Sequence, residues 1–283
     1  MRVALVTCLE LPRPDHDLPI LERAFAAAGC HASVVAWEDP SIDWAGFDAA
    51  VLRSTWNYVA HYRDFSAWLD RAAAATRLVN PLPAVRWNLH KRYLHDLADA
   101  GIAVVPTDLV PHGERPDWDA LFARHGELVV KPAVSAGSFG TVRVAAGDAA
   151  AARAHREAHL DRDLLVQPFV RSVTGRGERN LVHLGGRFSH AIRKGARWSG
   201  DEEQSGGLAE PDPAELALAA AVLAAVDRRG LGPLAYARVD TALGADGAPL
   251  LMELEITEPS LFLDRAPDRA PLLVDAVRRA LAS

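Results

Sequence analysis

Four charged residues near the C-terminal end are spaced for metal or phosphate chemistry. Arg238-Val239-Asp240 closes one β-rich run, and Glu253-Leu254-Glu255 lies on the next. Side chains on a strand alternate faces, so Arg238 and Asp240 share a face, as do Glu253 and Glu255. If the two runs pair across the turn Gly244-Ala245-Asp246-Gly247, three carboxylates meet beside one guanidinium. Carboxylates so close repel unless a cation neutralises them, and hard oxygen ligands suit Mg2+ bridging phosphates. Met252, Leu254 and Ile256 set the acids opposite an apolar face, which weakens the competing reading of a solvated, salt-bridged strand.

Two further patterns suit a nucleotide. Lys131 ends Leu128-Val129-Val130-Lys131-Pro132 and is followed by the small-residue run Ser135-Ala136-Gly137-Ser138-Phe139-Gly140. A strand lysine beside such a loop offers phosphates a point charge from one side and backbone N–H donors from the other. The same pattern also fits an ordinary hairpin with a solvated lysine. In Val166-Gln167-Pro168-Phe169-Val170 a strand leaves through a proline, and backbone groups that no longer pair in a ladder are able to meet an adenine edge. A plain strand end is the alternative.

These residues need strands to hold them, and the chain supplies strands in alternation with helices. Val3–Thr7, Ala32–Trp37 and Ala49–Leu52 read as buried strands, with helices expected over Leu18–Ala28, stopped by Gly29, and Phe65–Ala75. Alternation of this kind predicts a parallel sheet whose ligands sit at the carboxyl ends of its strands, at Thr7–Asp17 and Arg53–Tyr58. Asn80-Pro81-Leu82-Pro83 reads as a boundary, giving an organisation of 1–86, 87–168 and 169–283. Beyond it a helix is expected over Asn88–Ala100, strands at Glu127–Val134, Thr141–Val144 and Leu164–Gln167, and a helix at Ala149–Leu160. A hairpin follows, Asn180–Leu184 with Arg187–Arg193, across Gly185-Gly186. Arg197–Gly207 reads as a mobile loop, Pro213–Arg229 as a helix, Tyr236–Thr241 and Pro249–Leu254 as strands, and Ala270–Ala282 as a closing helix.

The chain has 283 residues, 49% of them hydrophobic and 24% charged, enough for a globular protein of about two domains. A net charge of −6 argues against a nucleic-acid partner. No apolar run approaches the roughly 20 residues of a membrane span, and Met1-Arg2 opens straight into a strand rather than a signal peptide, so a cytoplasmic protein is expected. Cys8 and Cys30 cannot build a zinc cluster, and Cys8 has no local histidine to activate it. The histidines show no ligand spacing.

The ordered set of a lysine before a helix, a strand lysine with its Gly/Ser loop, Gln-Pro-Phe-Val, Gly-Glu-Arg, Arg-x-Asp and a final Glu-x-Glu resembles the ATP-grasp superfamily from about Trp87 to Phe262. The resemblance implies a mixed α/β and α+β chain: an ATP-grasp fold in which two lobes clamp Mg-ATP beside a Rossmann-like N-terminal domain. It implies Lys91 and Lys131 on the phosphates with Ser135, Gly137, Ser138 and Gly140 over them, and Gln167, Phe169 and Val170 as the adenine hinge. It further implies Glu178 near the ribose or metal, and Asp240, Glu253 and Glu255 as Mg2+ ligands. Asn is common at the last of these positions, so Glu255 adds a charge and leaves the number of metals open. Arg193, Arg238 and the loop ending Ser205-Gly206-Gly207 fall where relatives hold the substrate carboxylate and the acyl phosphate, the loop acting as a lid that shields the acyl phosphate from water.

Thr7-Cys8, Arg53-Ser54-Thr55-Trp56-Asn57-Tyr58 and Glu255-Ile256-Thr257-Glu258-Pro259-Ser260 are similar to one branch, the cyclo-ligases that close O-ureido-D-serine to D-cycloserine. That likeness implies a small amino-acid-like substrate, with Arg53, Ser54, Asp17 and Glu258 as its contacts. Trp56, Tyr58, Phe65 and Trp68 are expected in a domain-interface core. An intermolecular carboxylate–amine ligase, a kinase-like ATPase and a non-catalytic nucleotide-binding module remain alternatives. The oligomeric state, a homo-oligomer included, stays open.

Overall fold

The computed structural model describes residues 1–195 and 205–282. Three sheets carry the chain. The first is parallel, in the order β2 (His31–Ala36), β1 (Arg2–Thr7), β3 (Ala49–Ser54) and β4 (Arg77–Val79). Its central strands are near-continuous apolar runs, as expected for strands covered on both faces. Helix α1 (Leu18–Ala27) stops where Gly29 takes φ +72°. Helix α2 (Tyr62–Ala75) buries Phe65, Trp68, Leu69 and Ala72, one stripe at helical spacing.

The chain does not leave this sheet through a free linker. Asn80, at φ +23°, is buried. Its Nδ2 donates to Tyr236 O at 2.9 Å and Ile256 O at 2.7 Å, and its Oδ1 accepts from Ala235 N at 2.8 Å. One side chain thereby stitches the end of the first sheet to strands more than a hundred residues away.

The expected helix over 88–100 begins later, as α4 (Tyr93–Asp99), and a separate helix, α3 (Leu82–Asn88), runs through the expected boundary before it. The break between them has a tertiary cause. Asn88 turns its amide to Leu254 O at 2.7 Å and Ile256 N at 3.1 Å, and Lys91 N donates to Ala133 O at 2.8 Å. Those bonds hold the chain away from a continuous helix and lay Lys91 against another sheet.

That second sheet is antiparallel, in the order β5 (Asp108–Val110), β8 (Leu164–Pro168), β6 (Leu128–Pro132) and β7 (Val142–Val144). It is covered by α5 (Trp118–His125) and α6 (Ala149–Ala158), which share a core with it. After a short turn of helix, α7 (Ser172–Gly175), comes the third sheet. Its order is β11 (Ser205–Ala209), β10 (Arg187–Lys194), β9 (Glu178–Leu184), β12 (Tyr236–Leu243) and β13 (Pro249–Glu255). Gly185 and Gly186, at φ +60° and +77°, make the two-residue turn between β9 and β10. Helix α8 (Pro213–Arg228), opened by a capping box of Asp212 and Glu215, packs beneath β12 and β13. The closing helix α9 (Ala270–Ala282) returns to pack on α1.

Part of the expected mobile loop is strand. Ser205–Gly207 are strand, pairing β11 with β10, and residues 197–204 of the expected lid lie outside the described residues. Among the described residues no helix is long and apolar enough to cross a membrane.

Replacing Asn80 with Ala strands a buried N–H and two carbonyls, and chemical denaturation is expected to show a loss of about 2–4 kcal/mol. A loss within ordinary surface-substitution scatter would mean that the stitch is not structural.

Burial also holds the imidazoles of His183 and His190 below their usual range, the hydrogen bonds to Leu181 O and Leu261 O opposing it. A depressed histidine is neutral in the folded chain and protonates first in the unfolded one, so its contribution is complete above the unfolded value and fades as pH falls below it. The drop in unfolding free energy from about pH 7.5 to about pH 5.5 is therefore expected to be smaller in His190→Gln than in the unmodified protein. Equal drops in the two would refute the assignment.

Candidate active site

A cleft of about 530 Å3 runs between the second and third sheets and ends against the first. Local pairing positions its charges. In the β12–β13 ladder Asp240 lies opposite Glu253, and Arg238 opposite Glu255, so all four side chains stand on one face. Arg238 donates to both oxygens of Asp240 at 2.8 Å, and also to Glu255 Oε1. Lys91, brought in by the break between α3 and α4, meets Glu253 Oε1 at 2.9 Å and Ser135 O at 2.6 Å. Lys131 faces the same carboxylate from β6, and Glu178 and Lys194 face each other at 3.8 Å from β9 and β10.

The electrostatics are unequal. Burial pushes the Glu253 carboxyl up, but Lys91 and Lys131 outweigh it and hold it well below the ordinary range. Burial pushes Glu255 well above that range; Arg238 opposes the shift, and Asp240 and Glu253 add to it. Glu258 is raised to about 7 by burial, against the pull of Lys91. Burial lowers Lys131 and raises Glu178. Burial thus raises Glu255 and Glu258 while the lysines lower Glu253, in a cleft lined, among the described residues, by five cationic side chains: Arg13, Lys91, Lys131, Lys194 and Arg238. Among the described residues no group of three His, Cys, Asp or Glu side chains stands ready to hold a metal, because Arg238 and Lys91 occupy the carboxylate oxygens. The donors are nonetheless of the type a hard divalent ion takes.

At the apolar end, Val129, Phe169, Val170, Val173 and Met252 pack around Ala242 and line the cleft, with the Arg143 guanidinium 3.7 Å from the Phe169 ring centroid. Gln167 is buried and donates to Thr107 Oγ1 at 2.8 Å, and Phe169 N donates to Glu127 O at 2.8 Å. The Phe169 amide is thus committed to the second sheet. Over the charged centre, Ser135, Gly137 and Ser138 line the cleft, the last two at φ +58° and +59°. Gly140 lies outside the lining, and a Cβ there would meet Pro132 Cγ at 2.9 Å. Its part is to let the loop close on β6.

Several expected contacts lie elsewhere. Arg53 and Asp17 are fully buried, 3.3 Å apart, and brace the loop that follows β13. Arg53 donates to Pro259 O at 2.7 Å, and the two Asp17 oxygens each accept, at 2.7 Å, from Leu261 N and Leu263 N. Ser54 donates to Thr7 Oγ1 at 2.9 Å. None of the three lines the cleft; the first two aim Glu258, which does. Arg193 donates to Gly175 O at 2.7 Å and Arg176 O at 2.8 Å, so it ties β10 to α7 outside the lining. Gly206 and Gly207 are likewise outside it; a Cβ at Gly206 would meet Arg193 O at 2.7 Å.

The cleft also contains a residue that no motif marked, Lys194, and others from the expected rims at Thr7–Asp17 and Arg53–Tyr58. Lys194 lines it where Arg193 does not, and strand alternation along Ile192, Arg193 and Lys194 was the signal available. Phe65, Trp68 and Tyr58 are core, as expected; Tyr58 also forms cleft wall, and Trp56, expected in the core, is instead half-buried in that wall. Arg13 stacks over Trp56 at 4.4 Å and reaches Ser260 Oγ at 3.5 Å. It lies in Thr7–Asp17, one of the two segments expected at the ligand rim, although no motif singles it out.

Two antiparallel sheets facing across a cleft with an apolar end and a lysine–carboxylate centre, beside a parallel α/β sheet, define an ATP-grasp enzyme. Residues 3–80 match the family described as the D-cycloserine synthetase DcsG N-terminal domain. The chain is 38% identical to the cycloserine biosynthesis protein DcsG of Streptomyces lavendulae, over 99% of this chain and 98% of that one. It superposes on the crystal structure of D-cycloserine synthetase DcsG with a TM-score of 0.91 at 37% identity, covering 99% and 100% of the two chains. The ATP-bound D-alanine–D-alanine ligase of Bacillus anthracis shares the fold alone, with a TM-score of 0.71 at 17% identity over 100% and 97% of the chains. The chain belongs to the D-cycloserine synthetase family of ATP-grasp ligases.

Glu253→Gln removes the carboxylate shared by Lys91 and Lys131 while preserving shape. Its ADP release is expected to fall below one-hundredth of the unmodified rate with the fold intact, on the order of what loss of one charged partner in a preorganised site produces. Retained turnover with unchanged Mg2+ dependence would remove Glu253 from the site.

Proposed function

We propose that the chain cyclises O-ureido-D-serine to D-cycloserine at the expense of ATP. The observation that carries this reading is the full-length likeness to D-cycloserine synthetase, since the D-alanine–D-alanine ligases it also resembles match at 28–29% identity over only 51–59% of this chain. The cleft agrees with it: its third end, closed by Tyr58, Glu258, Ser260 and Arg13, is small and polar.

In this reading Val129, Phe169, Val170 and Met252 enclose the adenine, with Glu178 towards the ribose. Lys91, Lys131 and the loop through Ser135, Gly137 and Ser138 hold the phosphates. Asp240, Glu253 and Glu255 would hold Mg2+, which neutralises phosphate charge as phosphoryl transfer proceeds. Arg238, released from Asp240, turns to the substrate carboxylate, and Glu258 receives its ammonium.

A substrate carboxylate oxygen attacks the γ-phosphorus and ADP leaves, giving an acyl phosphate. The lone pair of the oxygen-linked ureido nitrogen then attacks the acyl carbon; the C–N bond forms, phosphate departs, and the nitrogen loses its proton. Uptake of water releases the carbamoyl group as CO2 and ammonia. Tethering replaces a second substrate site, because an attached nucleophile reaches a high effective concentration.

The test is ADP release by the purified protein with Mg-ATP, alone and with O-ureido-D-serine or its L-isomer, the product followed by mass spectrometry. ADP with the cyclic isoxazolidinone from the D-isomer is expected. An acyclic amide formed only when a separate amine is added would replace this reading with an intermolecular ligase.

A further inference from the structure

Asn180 is fully buried on β9, and among the described residues neither its Oδ1 nor its Nδ2 has a hydrogen-bond partner. Other buried polar side chains have one orphaned atom; of the described residues, no other has two. A primary amide buried in this way is costly, and an apolar side chain of the same shape would stabilise the fold. Such a group calls for a reason.

Its position supplies one. In the β9–β12 ladder Asn180 lies directly opposite Asp240, so the two side chains share a face, and Glu178, two residues earlier on β9, shares it as well. Asn180 does not itself line the cleft, but it lies beside Asp240, which does. Both oxygens of Asp240 are taken by Arg238 in this structure. Resting on the function proposed above, catalysis asks Arg238 to leave for the substrate and Asp240 to give one oxygen to a cation. The other oxygen then loses its donor in a buried site, where an uncompensated carboxylate oxygen is expensive.

We propose that Asn180 is the positioning residue of the metal site: its Nδ2–H takes over the Asp240 oxygen that Arg238 vacates and orients that carboxylate for the divalent cation. The amide is unpartnered before the exchange because its partner is engaged elsewhere, and its Oδ1 remains an acceptor for ordered water. Substitution of groups that orient a metal ligand typically weakens metal affinity about 10–100-fold.

The experiment compares the unmodified protein with Asn180→Leu, an apolar residue of similar shape, and Asn180→Ala. Melting temperature is read without ligand, then with ADP alone and with Mg-ADP; the Mg2+ concentration for half-maximal ADP release is read at saturating ATP. The expected result for Asn180→Leu is a melting temperature equal to or above that of the unmodified protein, a Mg2+ half-saturation raised about tenfold or more, and loss of most of the extra stabilisation that Mg-ADP gives over ADP. Unchanged Mg2+ half-saturation and an unchanged Mg-ADP shift would overturn the proposal and leave Asn180 a structural oddity. Should the leucine fail to fold, the alanine variant decides by the same two Mg2+ readings. Failure of the underlying metal reading is distinguishable, because Glu253→Gln would then keep its Mg2+ dependence; a normal Asn180→Leu beside a Mg2+-defective Glu253→Gln sinks only the role of Asn180.

Discussion

Repulsion among the carboxylates of β12 and β13 is the constraint from which much of the site follows. Pairing Arg238–Asp240 against Glu253–Glu255 puts three acids on one face of a sheet, where burial disfavours their charges. The fold answers with cations from three separate origins: Arg238 on the same strand as Asp240, Lys91 from a helix break, and Lys131 from the facing sheet. Burial nonetheless keeps the Glu255 and Glu258 carboxyls raised.

The first sheet takes part at one remove. Its buried Asp17–Arg53 pair reaches across to the backbone at Pro259, Leu261 and Leu263, and Asn80 binds the backbone at Ala235, Tyr236 and Ile256. Tyr236 reciprocates, donating through its hydroxyl toward Leu52 O at 3.1 Å and Thr257 O at 3.0 Å. These bonds grip the loop after β13 from both sides and so fix where Glu258 and Ser260 enter the cleft. A buried ion pair stabilises little in net terms, but it specifies geometry when backbone groups complete its hydrogen bonding.

The nucleotide end follows a different logic. Its apolar wall is an extension of the packing between β6, β13 and α7, and the Arg143 guanidinium over Phe169 stiffens the hinge without entering it. The glycine loop, by contrast, holds left-handed backbone at Gly137 and Ser138, which aims its N–H groups rather than its side chains.

Local sequence determined the elements and the chemistry of the centre. Period-two alternation put Arg238, Asp240, Glu253 and Glu255 on one face before any strand order was known, and the glycine turns at 185–186 and 244–247 declared the hairpins that carry them. The ordered motifs also pointed to the ATP-grasp fold. Tertiary structure decided what local pattern does not encode. Charged residues at a strand's carboxyl end read alike whether they meet a ligand or the backbone of a distant loop, and Arg53 and Asp17 do the latter. The helix expected from Asn88 starts only at Tyr93, because bonds to β13 and Ala133 hold the chain between α3 and α4. Arg193 and Lys194 differ by one residue and therefore by a whole sheet face, a choice set by pairing register. Composition and spacing report what a segment is able to do; which of its groups are free to do it depends on long-range hydrogen bonds, and those exist only once the chain has closed on itself.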